Sequence, residues 1–164
     1  MKQLLIIFIL LISLSINAQT KVATSTTDFA NATGAWKGTI TYLDYSSGKP
    51  FTMPANVDLR VAIRGQVILS YTYPEEPKAN GMDTILVSAN GLMVDGSKVV
   101  SREVMEDGAV KVVTERAGID GNDKKPAQIR HTYFLGKKSF QSIKEVKFEG
   151  TDIWIKRNAY LFNR

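Results

Sequence analysis

Three cations of this sequence lie in phase with apolar residues when the chain is read with a period of two. They are Arg116 in the segment 110–116, Lys144 in the segment 140–148 and Arg157 in the segment 153–162. A cation on the buried face of a strand is costly unless a carboxylate, a tyrosine or a ligand neutralises it. Each of the three therefore needs a partner, either inside the protein or on a bound molecule.

Tyrosines are plausible companions of these cations inside a lumen, at Tyr42, Tyr71, Tyr73 and Tyr133. A basic, tyrosine-lined pocket suits an anionic amphiphile such as a fatty acid, because arginine and tyrosine side chains bind a carboxylate. The alternative is that the cations snorkel to solvent or form internal salt bridges with Asp44 or Glu145. The candidate ligand-binding residues are Tyr71, Tyr73, Arg116, His131, Tyr133, Lys144 and Arg157.

The single histidine of the chain, His131, shares a face with Ile129 and Tyr133. In a lumen it could act as a proton shuttle or a haem ligand, whereas in a packed core it would be a hydrogen-bonded structural residue. No Gly-x-Ser-x-Gly turn is present to supply a serine nucleophile. With one histidine and no cysteine, zinc ligands would be mostly carboxylates, which zinc rarely accepts. We predict no catalytic residue, no metal site and no cofactor.

Two pairs of carboxylates stand close together in the sequence, Glu75 with Glu76 and Asp120 with Asp123. Both pairs fall in predicted loops beside lysine and proline, where solvated charge is the usual state. The segment 120–123 has some of the oxygen ligands that calcium prefers, but the distal bidentate glutamate of a calcium loop is missing. We therefore interpret both pairs as solvated loop charges.

Alternation of apolar and polar residues predicts the elements that carry these side chains, from residue 36 to the end of the chain. Turn signals such as Asn90-Gly91 and Asp107-Gly108 separate the segments, and this kind of turn favours tight hairpins. Consecutive hairpins form an antiparallel meander, which closes into a barrel or splits into a sandwich. We predict an all-β fold, an antiparallel up-and-down β-barrel of 8–10 strands.

The lengths of the predicted connections distinguish the two ends of this barrel. The long ones are 46–56, 74–83 and 118–128, which follow the first, third and seventh strands. Connections after odd-numbered strands lie at one end of an up-and-down meander, so this end is predicted to be open. The tight hairpins close the other end.

The N-terminal residues predict export. Residues 1–18 have one positive charge, an apolar run and a small residue at the end, as in a secretory signal peptide cleaved after Ala18. Residues 19–33 are expected to form a flexible lead with one helical turn at 28–32, capped by Asp28 and stopped by Gly34. Residues 34–164 form the single barrel domain. We expect a periplasmic or secreted protein that is monomeric.

The charge balance excludes several classes of partner. The formal charge of the chain is +5, and removal of Lys2 with the signal peptide leaves 20 basic and 16 acidic side chains, a charge of +4. No run of lysine or arginine is interleaved with aromatic residues, which argues against nucleic-acid binding. Most predicted strands have one charged face, which argues against a transmembrane barrel. The mature chain contains no predicted transmembrane segment.

The segment Gly34-Ala35-Trp36 resembles the Gly-x-Trp that begins the first strand of lipocalins and related calycin barrels. The resemblance implies a lipocalin-like barrel with Trp36 at its closed base and an arginine from the end of the sequence packed across the ring. Arg164 is the positional match, with Arg157 as the second choice. Segments 42–45, 73–77, 144–146 and 157–160 also resemble small exported lipocalin-like proteins of Bacteroidota, to which we attach no activity.

Three functions follow from these observations. The first is sequestration of a small hydrophobic or amphipathic molecule, which enters the lumen at the open end. The second is an isomerase or lyase on the same barrel that uses His131 or a Tyr–Arg pair in acid–base catalysis. The third is a structural or interaction protein with a filled core that presents the predicted loops 46–56 and 74–83 to a partner.

Overall fold

The computed structural model describes residues 22–44 and 47–164. The predicted signal peptide, residues 1–18, lies outside them. A short helix, α1 (Thr26–Ala30), precedes the strands, and a single 3-10 turn (Pro77–Ala79) lies between the third and fourth strands. The strands are β1 (Gly34–Leu43), β2 (Pro50–Val61), β3 (Gln66–Thr72), β4 (Gly81–Leu86), β5 (Met93–Val94), β6 (Ser97–Val104), β7 (Val110–Asp120), β8 (Lys125–Leu135), β9 (Ser139–Phe148) and β10 (Ile155–Asn163). No helix among the described residues is long and apolar enough to cross a membrane.

The strands form one antiparallel sheet in the order β4-β3-β2-β1-β10-β9-β8-β7-β6-β5. Every strand except the pair β4 and β5 therefore forms a ladder with its neighbours in sequence, and β1 also pairs with β10 from Lys37–Asn163 to Tyr42–Asn158. The two outer strands meet through a bridge between Val87 and Val94 and a hydrogen bond of 2.9 Å from Asp95 N–H to Leu86 O. The sheet is thus a nearly closed up-and-down barrel of ten strands, which confirms the predicted fold class.

Two of the three predicted long loops are wrong. β2 begins at Pro50, so most of the segment 46–56 is strand, and β7 and β8 leave only 121–124 as a tight turn. Pro50 and Pro54 obscured β2 in the sequence, but pairing of β2 with β3 starts only at Asn56. Before Asn56, β2 has a neighbour on one side only, where a missing N–H is tolerated. The expected difference in loop length between the two ends is therefore small.

Helix α1 fills the end of the barrel at which β1 starts, and we call this end the base. The Phe29 side chain is 0% exposed, and its ring contacts Tyr133 at a centroid distance of 5.5 Å. The helical turn expected at 28–32 is observed slightly earlier, with Ser25 rather than Asp28 at the N-cap and Asn31 rather than Gly34 at the C-cap. Because this helix carries a core residue, the described part of the expected lead belongs to the packed domain.

Trp36 lies at the base between the helix and the last strand. Its ring is buried beside Phe140, and its indole Nε1 donates a hydrogen bond of 2.7 Å to Ala32 O. The guanidinium carbon of Arg164 is 4.1 Å from the ring centroid, and its Nη1 donates to Thr33 O at 2.7 Å.

Local geometry explains why position 34, the first residue of the Gly-x-Trp segment, is a glycine. Gly34 has a φ of 115°, which L side chains rarely adopt, and a Cβ there would lie 2.8 Å from Arg164 Nη1. The segment thus combines a turn into β1, a buried indole and space for the arginine that covers it.

An ion pair fixes α1 to the barrel wall. Arg102 on β6 donates to both carboxylate oxygens of Asp28, at 2.9 and 2.7 Å, and Thr24 Oγ1 donates to the same carboxylate at 2.9 Å. Burial acts to raise the pKa of Asp28, but the hydrogen bonds from Arg102 and Thr24 outweigh it and hold the pKa below its ordinary value. Asp28 is therefore ionised at neutral pH.

We predict that Asp28→Asn lowers the free energy of unfolding by about 1–3 kcal/mol, because it leaves Arg102 without its carboxylate. The matched control is Asp58→Asn, whose partner Arg60 is exposed, and this change should cost less than about 1 kcal/mol. Urea denaturation of the three proteins measures both values. Equal stability of the two variants would contradict the anchoring role of Asp28.

Candidate ligand-binding site in the mouth of the barrel

The barrel interior changes character from the base toward the opposite end, which we call the mouth. The mouth carries the connections 44–49, 73–80, 121–124 and 149–154. Aromatic and aliphatic side chains fill the base, among them Phe29, Trp36, Phe140 and Phe162. Polar and ionisable side chains of the inner face gather in the mouth half, namely Tyr71, Tyr73, Tyr160, Arg116, Asp120, His131, Lys144 and Arg157.

Asp120 joins two of the predicted cations. Its Oδ1 accepts a hydrogen bond of 2.7 Å from Lys144 Nζ, and its Oδ2 accepts one of 2.7 Å from Arg157 Nε. The Asp120 and Arg157 side chains are only 6% and 9% exposed. Burial acts to raise the pKa of Asp120, but the hydrogen bonds and positive charges of the two cations outweigh it and lower the pKa. The carboxylate is therefore ionised at neutral pH.

This arrangement corrects two expectations about carboxylates. Asp120 is not a solvated loop charge, because it is the last residue of β7 and points into the barrel; Asp123 is exposed, as expected, and pairs with Lys125. The internal salt bridge of Lys144 is made with Asp120, whereas the sequence pattern suggested Asp44 or Glu145. Glycines and a proline in the segment 118–126 concealed the continuation of both strands through it.

The same contacts show that the tip of the β7–β8 hairpin bends over the mouth. The strand register places Lys144 beside His131 and His131 beside Thr114. Asp120 lies six residues beyond Thr114, or about 20 Å along a straight strand, which a four-carbon lysine side chain cannot span. The hairpin tip, residues 118–127, must therefore fold inward, and we call it the flap.

Gly118 lies where the flap leaves the barrel wall. A Cβ at this position would come within 2.8 Å of both Arg116 Nη1 and Ile129 Cδ1. The absence of a side chain lets these two groups pack against the backbone of the flap. This close approach holds the Arg116 guanidinium at the rim, where the residue is exposed.

Three tyrosines, Tyr71, Tyr73 and Tyr160, form a cluster that packs against the main hydrophobic core. The hydroxyls of Tyr73 and Tyr160 are hydrogen-bonded at 2.9 Å, and the ring of Tyr71 lies 4.9 Å from that of Tyr160. Burial, followed by the neighbouring tyrosines and Asp83, raises the pKa of Tyr71, and burial likewise raises that of Tyr160. These phenols are neutral at physiological pH and can donate hydrogen bonds to an anion.

Sequence reasoning missed Tyr160 as a mouth residue because β10 contains an irregularity in register between Lys156 and Asn158. A bulge of this kind shifts the alternation by one residue. The phase set by Ile153 and Leu161 was therefore misleading, since these two side chains are 71% and 40% exposed. The signal that could have found Tyr160 is its spacing of two residues from Phe162.

His131 lies between the cations and the tyrosines. Its ring stacks at 6.3 Å from that of Tyr133. Burial, followed by the charges of Lys144 and Arg116, lowers the pKa of His131 from 6.5 to about 4. The imidazole is therefore neutral at pH 7, mainly because burial disfavours its charged form.

Tyr133 is the one candidate that belongs to the packed base, although its ring stacks with that of His131. Its side chain is buried against Phe29 in the base rather than in the mouth. Burial raises its pKa above the ordinary value. Tyr133 thus contributes to the packed core, while its neighbour in phase, His131, faces the polar half.

The barrel wall is also open on one side of the mouth half. β6 pairs with β7 only as far as Glu115, so the segment 116–120 pairs with β8 alone. Across from it, β4 pairs with β3, and among the described residues it meets β5 only at its base end. We call this gap in strand pairing between β4 and β7 the slot. Asp83 lies on its β4 side, in register with the buried Leu69.

No group of three or more potential metal ligands lies close together among the described residues. Cavities of ligand size are present at the surface, and one of about 420 Å³ lies at the rim of the mouth. Its lining includes Ala117, Gln128 and Lys147, which are in register with one another on the outer face of the sheet, so this cavity lies outside the lumen. Pockets that hold small molecules commonly measure roughly 300–1,000 Å³.

Comparison with known proteins supports the fold and adds no activity. No family model matches the sequence, and no curated protein matches it either. Among solved structures, the crystal structure of Rv2717c from M. tuberculosis is similar, with a TM-score of 0.55 and 11% sequence identity. The similarity covers 87% of this chain and 98% of that chain. At this identity it shows a common fold alone.

The lowered pKa of His131 predicts a pH dependence of stability. Between pH values of about 4 and 6.5 the unfolded chain binds a proton that the folded chain does not, so stability falls as the pH falls through this window. The free energy of unfolding of the wild type should therefore decrease more between about pH 7 and pH 4.5 than that of His131→Gln. An equal decrease in both proteins would show that His131 titrates normally.

Proposed function

We propose that this chain is an exported, lipocalin-like barrel that binds a small anionic amphiphile in the mouth half of its lumen. The proposal rests on the positive charge on the inner face of the wall formed by β7 to β10. Its described inner side chains include two mostly buried cations, Lys144 and Arg157, and a third, Arg116, at the exposed rim, against one carboxylate, Asp120. An excess of positive charge in a largely buried place favours a bound anion.

The chemistry of the mouth suits a carboxylate attached to an apolar tail. The ammonium of Lys144 and the guanidinium of Arg157 supply charge-assisted hydrogen bonds, and the neutral tyrosine hydroxyls supply further donors. The Phe148 ring, 5.4 Å from the Arg157 guanidinium carbon, and the rings of Tyr71 and Tyr160 offer apolar surface for the tail. Amphiphiles could enter past the flap or through the slot between β4 and β7.

The exported state rests on the N-terminal sequence. A cleaved segment 1–18, followed by a lead that ends in α1 and by the barrel domain 34–164, would deliver a monomeric protein to the periplasm or the medium. The absence of cysteine is compatible with this compartment, because packing and sheet hydrogen bonds hold the barrel together. The Gly-x-Trp segment and the arginine over it favour a lipocalin-like type of barrel.

A filled-core interaction protein is the second candidate, and a specific observation favours it. The ion pairs of Asp120 and the Tyr73–Tyr160 hydrogen bond provide internal partners for groups that a ligand would otherwise satisfy. The enzyme reading has weaker support, because a histidine with a pKa of about 4 is a poor general base at neutral pH. We assign no catalytic residue.

Binding of a long-chain carboxylate, compared with the alcohol of the same chain length, tests the proposal. We expect Lys144→Gln and Arg157→Gln each to weaken carboxylate binding by about tenfold or more, with little effect on the alcohol, because each loses a charged donor. A fluorescent polyene fatty acid and its alcohol serve as probes, and circular dichroism confirms that the variants fold.

The matched control is Lys111→Gln, which removes a positive charge from the outer face of β7, where Lys111 lies over the Phe134 ring. This variant should bind both probes like the wild type. Failure of the wild type to bind either probe would refute lumen binding and favour the filled-core candidate. Equal weakening by all three variants would indicate that only the overall charge matters.

A further inference from the structure

The Asp120 carboxylate occupies the position in the mouth where a ligand anion would be bound. It takes one hydrogen bond from an ammonium and one from a guanidinium, both at 2.7 Å, while it is almost fully buried. These are the contacts that a carboxylate headgroup would make with the same two donors. The protein therefore holds its own carboxylate on the cations that the proposed function assigns to the ligand.

The segment that carries Asp120 is held over the mouth from one side only. It pairs with β8, and the β8 side of the flap is anchored in turn by the buried Ala127, which pairs with Phe148 of β9. Residues 116–120 have no partner on the β6 side among the described strands, and the turn 121–124 is exposed apart from Gly121, which is partly buried. Ile119, beside Asp120, is 59% exposed, so its apolar side chain does not fix the flap by burial. Gly121 and Lys124 have φ values of 79° and 49°, which places the turn in a tight left-handed conformation. The contacts of the Asp120 carboxylate therefore add a restraint on the β7 side of the flap, which has no neighbouring strand of its own there.

We propose that Asp120 is a built-in competitor of the ligand, and that an incoming anionic headgroup displaces it from Lys144 and Arg157 and so releases the flap. This inference rests on the proposed function, because it assumes that an anionic amphiphile enters the mouth. It makes Asp120 a residue that sets specificity. A neutral amphiphile cannot replace the carboxylate on two cations, whereas an anionic one replaces it without leaving a buried charge unpaired.

Asp120→Asn tests the competition directly, with the polyene fatty acid and its alcohol as probes. The variant should bind the fatty acid about tenfold more tightly than the wild type, because the cations are then available without displacement of a carboxylate. Binding of the alcohol should change by less than about twofold. The matched control is Asp123→Asn, which removes the same charge from an exposed position of the same turn and should leave both affinities unchanged.

A second measurement uses the wild type and does not depend on the folding of a variant. Hydrogen exchange of the amides of residues 119–124 should become faster when the fatty acid is bound and should not become faster with the alcohol, because only the anion releases the flap. Fatty-acid binding by the wild type with unchanged or slower exchange there would overturn the inference.

The outcomes separate the two proposals. If the wild type binds the fatty acid but Asp120→Asn binds it no more tightly, or Asp123→Asn gains as much, the competitor role is wrong and lumen binding stands. If neither the wild type nor Asp120→Asn binds either probe, the proposed function fails and the inference fails with it. Tighter binding by Asp120→Asn alone, together with faster exchange in the flap of the wild type, supports both.

Discussion

The pairing of β1 with β10 joins the two ends of the barrel sequence, and the remaining architecture depends on it. The other ladders join strands that are consecutive in sequence, so this long-range contact, together with the short bridge near β4 and β5, turns the meander into a nearly closed wall. The pairing also brings the C-terminal Arg164 over Trp36, next to α1. A closed wall protects its strand edges from other chains, and it encloses an interior that side chains or a ligand must fill.

Different kinds of side chain occupy the interior in the two halves of the barrel. At the base, the helix inserts Phe29 among aromatic rings, and the Asp28–Arg102 ion pair fixes the helix to β6. In the mouth half, cations and tyrosines lie beside a small apolar cluster of Ala127, Ile129 and Val146, and Asp120 neutralises part of the charge. The sheet closes firmly only near the base, since β4 and β5 meet at just a few residues.

The sequence predicted the all-β class, the ten segments and their sequential pairing, because alternation and turn residues are local signals. It also indicated that Arg116, Lys144 and Arg157 face inward, but it did not identify Asp120, whose role depends on the bend of the flap. Tyr160 was missed because a bulge shifts the phase of β10. Pro54 concealed β2, because proline is acceptable in this strand only where β3 does not pair with it, and the sequence does not show where that pairing ends. These errors share one cause, which is that long-range geometry overrides a local pattern.

The central claim is that the mouth half of the lumen holds an anionic amphiphile, and native mass spectrometry of the protein purified from its own host tests it most directly. The account predicts a population with one additional mass in the range of a fatty acid or similar lipid. Organic extraction should release this mass, and identification of the released compound should show an acidic headgroup. A mass equal to that of the bare chain, together with a crystal structure in which protein side chains fill the mouth, would contradict the account.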